Sequence, residues 1–155
     1  MYRTAEEYMN SISDIRTSIR NKRSELKELR DAISLTSAQY DVEKIRKSNK
    51  RDKLEQSILD NVVKREALER RIEDEITEML LRQDTAVSLI NMIDSDDQKD
   101  VLMLRYIEGR TWWDIMELRG RDDLRSQYRL HQRALDALQS IIDSHLRATQ
   151  HGDNM

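Results

Sequence analysis

The scarcity of residues that break helices is the strongest constraint on this chain. It contains no proline, and Gly109, Gly120 and Gly152 are the only glycines in its 155 residues. The alternation of β-branched residues that marks strands is missing. Glu, Lys, Arg, Leu and Ile dominate instead, a composition typical of long helices. The sequence therefore predicts an all-α protein.

Composition also excludes several classes of protein. There is no cysteine, which excludes a disulfide framework and a thiolate metal site. No run of about 18 apolar residues exists, so no membrane span is expected. The beginning of the chain, MYRTAEEYMNSIS, lacks the basic start and apolar stretch of a secretory signal. We therefore expect a cytoplasmic protein.

Two apolar stripes predict a long antiparallel, coiled-coil-like helical hairpin over residues 1–94. The first begins at a capping box, Thr4 to Glu7, and repeats in steps of four and three. It ends near the polar stretch SLTSAQYD, whose side chains favour turns and caps. The second begins near Asp52. The seam residues of the two stripes are Tyr8, Ile12, Ile15, Ile19, Lys22, Leu26, Leu29 and Ile33, then Leu54, Ile58, Val62, Leu68, Ile72, Ile76, Met79, Leu80, Val87, Ile90 and Ile93.

Basic residues stand at two notable places in this hairpin, one on the seam and one at the predicted tip. Lys22 falls on the seam, where it either contacts Glu66 in a polar layer or extends its ammonium into water. The segment Lys47–Lys53 is basic and predicts a solvated hairpin tip, with contact to nucleic acid as the alternative. The exposed backs of the seams include Leu59 and Val63, so we also expect self-association, most simply as a dimer.

Short helices predict a helix-turn-helix module over residues 95–148, followed by a frayed tail at 149–155. A capping box from Ser95 to Gln98 opens the first of them, which ends at Gly109. Thr111 then caps a helix of about two turns.

The last helix of the module is long, and its start has two alternatives. Gly120 ends the short helix before it, and the cap falls at Asp122 or at Asp123. The helix is predicted to run to about Leu146. Its predicted buried face consists of Leu124, Tyr128, His131, Leu135, Leu138 and Ile142.

Two adjacent tryptophans stand at the first turn of the short helix. Because neighbouring helical residues point about 100° apart, Trp112 and Trp113 cannot both face one core. We expect one to be a packing residue and the other to be half exposed. Stacking on nucleic acid is the alternative interpretation.

At these residues the sequence resembles a known module. LMLRYIEGRTWWDI, residues 102–115, is similar to the region-4 helix-turn-helix of sigma-70-type factors, V-L-x-L-R-Y-x-E-G-x-T/S-x-x-E-I. The whole chain resembles small phage and prophage proteins of Gram-positive bacteria, which place a helical hairpin before such a module. Their recurring motifs read here TAEEY from residue 4, SAQYD from 37, DKLE from 52 and YRLHQRAL from 128.

The resemblance implies a DNA-binding transcriptional regulator or sigma-like factor of phage genes, acting in the bacterial cytoplasm. Its helix-turn-helix would dock on double-stranded promoter DNA and contact RNA polymerase. Arginine and glutamine read guanine and adenine edges, and serine and arginine hold phosphates. Residues 110–133 carry six arginines against four acidic residues, about +2 locally, whereas the whole chain carries −3. The predicted DNA-binding residues are Arg110, Arg121, Arg125, Ser126, Arg129, Gln132 and Arg133.

Two other functions are consistent with the same sequence features. An interaction protein could bind RNA polymerase or another protein without reading DNA, and a small terminase-like packaging subunit also joins a helix-turn-helix to oligomerising helices. Enzymatic motifs such as H-E-x-x-H, G-x-S-x-G or a P-loop are missing from the sequence. His131 falls on an apolar face, as a packed residue rather than a ligand. We expect no catalytic site, no metal and no cofactor.

Overall fold

The computed structural model describes residues 4–43, 51–120 and 123–152, and the side chains of 4–32, 55–120 and 123–150. These residues form five α-helices and one π-helical segment and contain no strand, which confirms the all-α prediction. The side chains of Lys47–Lys53 and Arg121 lie outside the described residues. The elements are α1 (Ala5–Glu43), α2 (Arg51–Asn91), α3 (Asp96–Leu102), the π segment (Met103–Ile107), α4 (Trp112–Leu118) and α5 (Leu124–Gly152).

Two helices are longer than the sequence predicted. α1 continues through SLTSAQYD to Glu43, because serine and threonine lower helix propensity only slightly and no glycine or proline stands there. α5 continues past Leu146 to Gly152, and the Thr149 hydroxyl donates to the His145 carbonyl at 2.9 Å. Residues 149–152, predicted to fray, are therefore helical. None of the described helices is both long enough and apolar enough to span a membrane.

The chain divides into two compact units. One consists of residues 18–79 and the other of residues 1–17 together with 80–155. The second of these is larger than the predicted module 95–148, because the first turns of α1 and the last turns of α2 share its core.

Residues 18–79 hold together through a narrow apolar seam flanked by ion pairs. Ile19, Leu26, Ile72 and Ile76 are buried. Leu68 and Leu80 were placed on the second stripe by the sequence pattern, but both are exposed. The stripe is therefore narrower than predicted on this helix.

The ion pairs of this unit show how α1 and α2 run. Lys22 Nζ lies 3.0 Å from Glu75 Oε2, whereas Arg30, further along α1, lies 2.5 Å from Glu69 and 2.6 Å from Glu73. The order of partners reverses, so the two helices are antiparallel here. The hydrogen bond that Lys22 donates to the Glu75 carboxylate, together with the nearby Glu25 charge, raises the pKa of Lys22. The predicted Lys22–Glu66 contact is wrong, because the longer α1 shifts the pairing by nine residues along α2, from Glu66 to Glu75.

The other unit has a continuous apolar core built from all five α-helices and the π segment. Its fully buried side chains include Met9, Ile90, Leu102, Ile115 and Leu138, each 0% exposed. The Ala5 amide donates to Gln139 Oε1 at 2.6 Å, which joins the first turn of α1 to α5. The remaining buried members are Ala5, Ile93, Val101, Tyr106, Ala134 and Leu135. This core fixes the position of the short helix α4 against α5.

Candidate nucleic-acid interface

A wide helical turn precedes the short helix of the predicted helix-turn-helix. Ser95 caps the start of α3, and its hydroxyl accepts the Gln98 amide at 3.4 Å, as the capping box predicts. The helix then widens into the π segment, where the Glu108 amide donates to the Met103 carbonyl at 2.9 Å. Gly109 follows with φ +67°, as predicted for a residue that ends a helix in the left-handed region.

The short helix α4 is held at its start by a reciprocal cap. The Thr111 hydroxyl accepts the Asp114 amide at 3.2 Å, and the Asp114 carboxylate accepts the Thr111 amide at 3.3 Å. Gly120, with φ +63°, follows its end. A helix of seven residues is too short to be stable alone, so this cap and its packing determine whether α4 forms.

The two tryptophans have different surroundings. The Trp112 ring packs edge-on against Tyr128 and His131, with both centroid distances at 4.9 Å. The Arg105 guanidinium lies over it, 5.0 Å from the ring centroid. Trp113 is 66% exposed. One tryptophan is thus a packing residue and the other is exposed, as the helical geometry predicted.

The cap of α5 decides between the two alternatives left by the sequence. Asp123 Oδ1 accepts the Arg125 amide at 2.9 Å, so Asp123 caps the helix. The turn from Gly120 to α5 is therefore the longer of the two possibilities. The negative carboxylate at this position stabilises the helix, because it lies at the positive end of the helix dipole.

Three arginines form a row on the first turns of α5. Arg125, Arg129 and Arg133 are exposed and make no ion pair with any described residue. Their spacing of four residues places them along one face over about 12 Å of helix. Gln132 is exposed on the same face and donates to Asp136 at 3.3 Å. Asp136 ends the basic part of this face.

The remaining predicted DNA-binding residues are placed less uniformly. Ser126 is half-buried. Arg110 is exposed but belongs to the turn before α4, where its guanidinium lies 3.4 Å from Glu108. Arg121 lies outside the described residues. The structure thus brings Arg125, Arg129, Gln132 and Arg133 together on one face and leaves Arg110 on another element.

The face of α5 that meets the core differs from the predicted one. Tyr128, predicted to be buried, is 46% exposed, and Gln127 is fully buried in its place. Ala134 is also fully buried, and its small side chain lets α5 approach the core on that side. The buried face is therefore rotated by about 50°, half a residue step. The apolar pattern of the sequence does not indicate this, because it carries no signal for burial of a glutamine.

Buried Gln127 is left without polar partners. Neither amide atom of its side chain has a hydrogen-bond partner among the described residues. An unsatisfied buried polar group costs about 1–3 kcal/mol. We therefore expect Gln127 to lower the stability with which α5 packs on the core.

Arg119 does not belong to the basic surface. Its side chain is only 8% exposed and lies 2.6 Å from Asp97 and 3.4 Å from Asp100. Both carboxylates are on α3, so this arginine ties α4 to α3. Arg119 therefore contributes to the local formal charge of about +2 but not to the exposed basic surface.

A half-buried hydrogen bond joins the π segment to α5. The hydroxyl of Tyr106 and His131 Nε2 are 2.8 Å apart. Burial, with a smaller contribution from the Glu6 charge, raises the pKa of Tyr106 to about 12. Burial lowers the pKa of His131, an effect that Arg105 reinforces and Glu6 opposes. With His131 neutral, the tyrosine donates and the imidazole accepts, so His131 is a packed residue, as predicted.

Comparisons with known proteins find no relative of this chain. The chain matches no protein-family model, no curated protein and no solved structure.

Proposed function

We propose that the protein is a DNA-binding transcriptional regulator or sigma-like factor of phage or prophage genes. In this proposal α4 and α5 form the helix-turn-helix, and α5 is the recognition helix. The observation that carries the proposal is the row Arg125, Arg129 and Arg133, exposed and unpaired among the described residues, directly after a capped short helix. The phage context rests on the resemblance of the sequence motifs.

The dimensions of the row suit a DNA groove. It extends over about 12 Å, close to the width of the major groove. Helix-turn-helix proteins contact base edges with the N-terminal residues of the recognition helix, and this row occupies the first three turns of α5. Arginine is suited to guanine O6 and N7, and Gln132 to adenine. Asp136 and Asp143, further along the helix, would be unfavourable near phosphates.

The long helices α1 and α2 would serve as an arm. The reversed order of the Lys22 and Arg30 ion pairs supports an antiparallel hairpin. Exposed apolar residues on α2 make dimerisation the natural role for such an arm, and binding to a partner protein is the alternative.

A second candidate function is protein binding without DNA reading. Trp113 is 66% exposed and Leu118 is 59% exposed, and both lie on α4. Tryptophan is enriched at protein–protein interfaces, so an exposed tryptophan favours contact with another protein. The resemblance makes RNA polymerase the first partner to test.

Selection from short random DNA duplexes, followed by titration of the recovered sequence, tests the main proposal. The full-length parent should bind it, and binding should weaken as salt concentration rises because phosphate contacts release counterions. Arg125→Ala and Arg129→Ala should each lose about 1–3 kcal/mol if they read bases, with relaxed preference at one base pair. A phosphate contact would instead weaken binding to all sequences and flatten the salt dependence.

Arg147→Ala is the matched control. Arg147 is exposed on the same helix, about 27 Å beyond Arg129, and its loss should leave affinity unchanged. The proposal fails if the parent shows no affinity for DNA at moderate salt, or if the two row variants bind like the parent. In that case the second candidate is tested by asking whether the immobilised protein retains purified RNA polymerase, and whether Trp113→Ala reduces that retention. Mapping occupancy on phage DNA separates a promoter from a packaging site.

A further inference from the structure

An exposed aromatic ring lies within the arginine row of α5. Tyr128 is 46% exposed, and it stands three residues after Arg125 and four before Gln132. On a helix these separations place side chains on neighbouring positions of one face. The tyrosine therefore belongs to the surface that carries the arginines, not to the core.

Packing holds this ring from one side. Trp112 meets it edge-on at a centroid distance of 4.9 Å, and Trp112 is itself fixed by His131 and by Arg105. A tyrosine has few rotatable bonds, and this one is already restricted by its neighbour. Contact with a ligand through the free side of the ring would cost little additional conformational entropy.

We propose that Tyr128 is a specificity-determining residue whose ring contacts the 5-methyl group of a thymine in the major groove. The inference rests on the DNA-binding function proposed above. Thymine is the only base that presents a methyl group in that groove, and apolar side chains recognise it by direct contact. Arg125, Arg129, Gln132 and Arg133 offer hydrogen bonds to guanine, adenine or phosphate. Tyr128 adds an apolar ring to this set.

The methyl group itself can be removed from the DNA, which makes a direct test possible. The duplex recovered from the random library is synthesised with thymine and, one position at a time, with deoxyuridine. Binding of the full-length parent should weaken about four-fold at the contacted position, the effect of losing one buried methyl group. Tyr128→Ala should bind the two duplexes equally well, whereas Tyr128→Phe should retain the difference because it keeps the ring.

Each outcome has a definite meaning. A parent that binds the duplex but shows no difference between thymine and deoxyuridine at any position overturns this inference and leaves the DNA-binding proposal standing. The same holds if Tyr128→Ala keeps the difference, or if Tyr128→Phe loses it, since the hydroxyl would then be the contacting group. A parent without affinity for any duplex overturns both.

Two controls keep the result independent of folding. Thermal unfolding of each Tyr128 variant shows whether the Trp112 packing survives, and the parent comparison needs no variant at all. Arg147→Ala, far along the same helix, should keep the full thymine preference.

Discussion

Trp112 and Trp113 are neighbours in the chain but differ in what their removal should do. Trp112 is packed by Tyr128, His131 and Arg105, whereas Trp113 is 66% exposed. An aromatic side chain stabilises through the contacts it makes, not through its size alone. The pair is therefore a natural comparison at the scale of single residues.

We expect Trp112→Ala to lower the free energy of unfolding by about 3 kcal/mol, the lower end for aromatic-to-alanine changes because Trp112 is half-buried. Trp113→Ala should change it by less than about 0.5 kcal/mol. Urea unfolding followed by circular dichroism measures both. Equal losses in the two variants would contradict the assignment of Trp112 as the packing residue.

The unpartnered amide of Gln127 gives a prediction of opposite sign. Gln127→Met keeps the side-chain volume and removes two unsatisfied polar atoms, so it should stabilise the protein by about 1–2 kcal/mol. Gln150→Met, an exposed change near the end of the same helix, is the control and should have little effect. Thermal unfolding measures the difference. A destabilised Gln127→Met would mean that the amide is satisfied in solution.

His131 should make the free energy of unfolding depend on pH. Its pKa is lowered in the folded protein by burial, with Arg105 adding to the effect and Glu6 opposing it. The unfolded chain therefore binds a proton first as the pH falls below about 6.5. Stability that is complete above that pH should decline as the pH falls further below it.

His131→Gln isolates this contribution, because an amide can accept the Tyr106 hydroxyl bond without titrating. The parent should lose more stability than this variant when unfolding is measured at pH 7 and at pH 5. His145→Gln controls for removal of an exposed histidine. Identical pH dependence in the parent and His131→Gln would exclude His131 as the cause.

At the scale of elements, the short helix α4 depends on its cap. Thr111 and Asp114 satisfy each other's backbone amides at its first turn. We expect Thr111→Ala to destabilise the protein by about 1 kcal/mol. Thr17→Ala is the control, because Thr17 is exposed within α1 and does not cap a helix. It removes the same side-chain atoms and should be neutral or slightly stabilising. Chemical denaturation compares the two. Equal effects of the two substitutions on the free energy of unfolding would show that the cap does not stabilise α4.

The elements also show what the sequence could and could not predict. The starts of α3 and α4 and the two left-handed glycines followed from local signals, since capping boxes and glycines act within a few residues. The end of α1 did not, because serine and threonine permit both a turn and a continued helix. The rotation of α5 was missed, since burial of Gln127 is decided by the neighbouring helices. Of the candidate site, the arginine row followed as the face of α5 left free by the predicted buried residues, whereas Tyr128 was assigned to the core.

At the scale of the whole molecule, exposed apolar residues on α2 predict self-association. Leu59 and Val63 are each 57% exposed and lie one turn apart. We expect the parent to dimerise in sedimentation equilibrium, and Leu59→Glu with Val63→Glu to weaken that association at least ten-fold. Leu146→Glu, a charge placed on an exposed leucine of α5, should leave it unchanged. A parent that stays monomeric at high concentration would remove the dimer from the proposal.

The π segment affects how this chain tolerates gain or loss of residues. A π turn closes its hydrogen bond over one residue more than an α turn does. The segment Met103–Ile107 therefore contains one residue more than a continuous α-helix would need there. Loss of one residue here would restore an α turn while Leu102 and Gly109 kept their places, whereas the same loss within α5 would turn the arginine row away by about 100°. A one-residue gap between Leu102 and Gly109 is therefore the length change expected among descendants of this sequence.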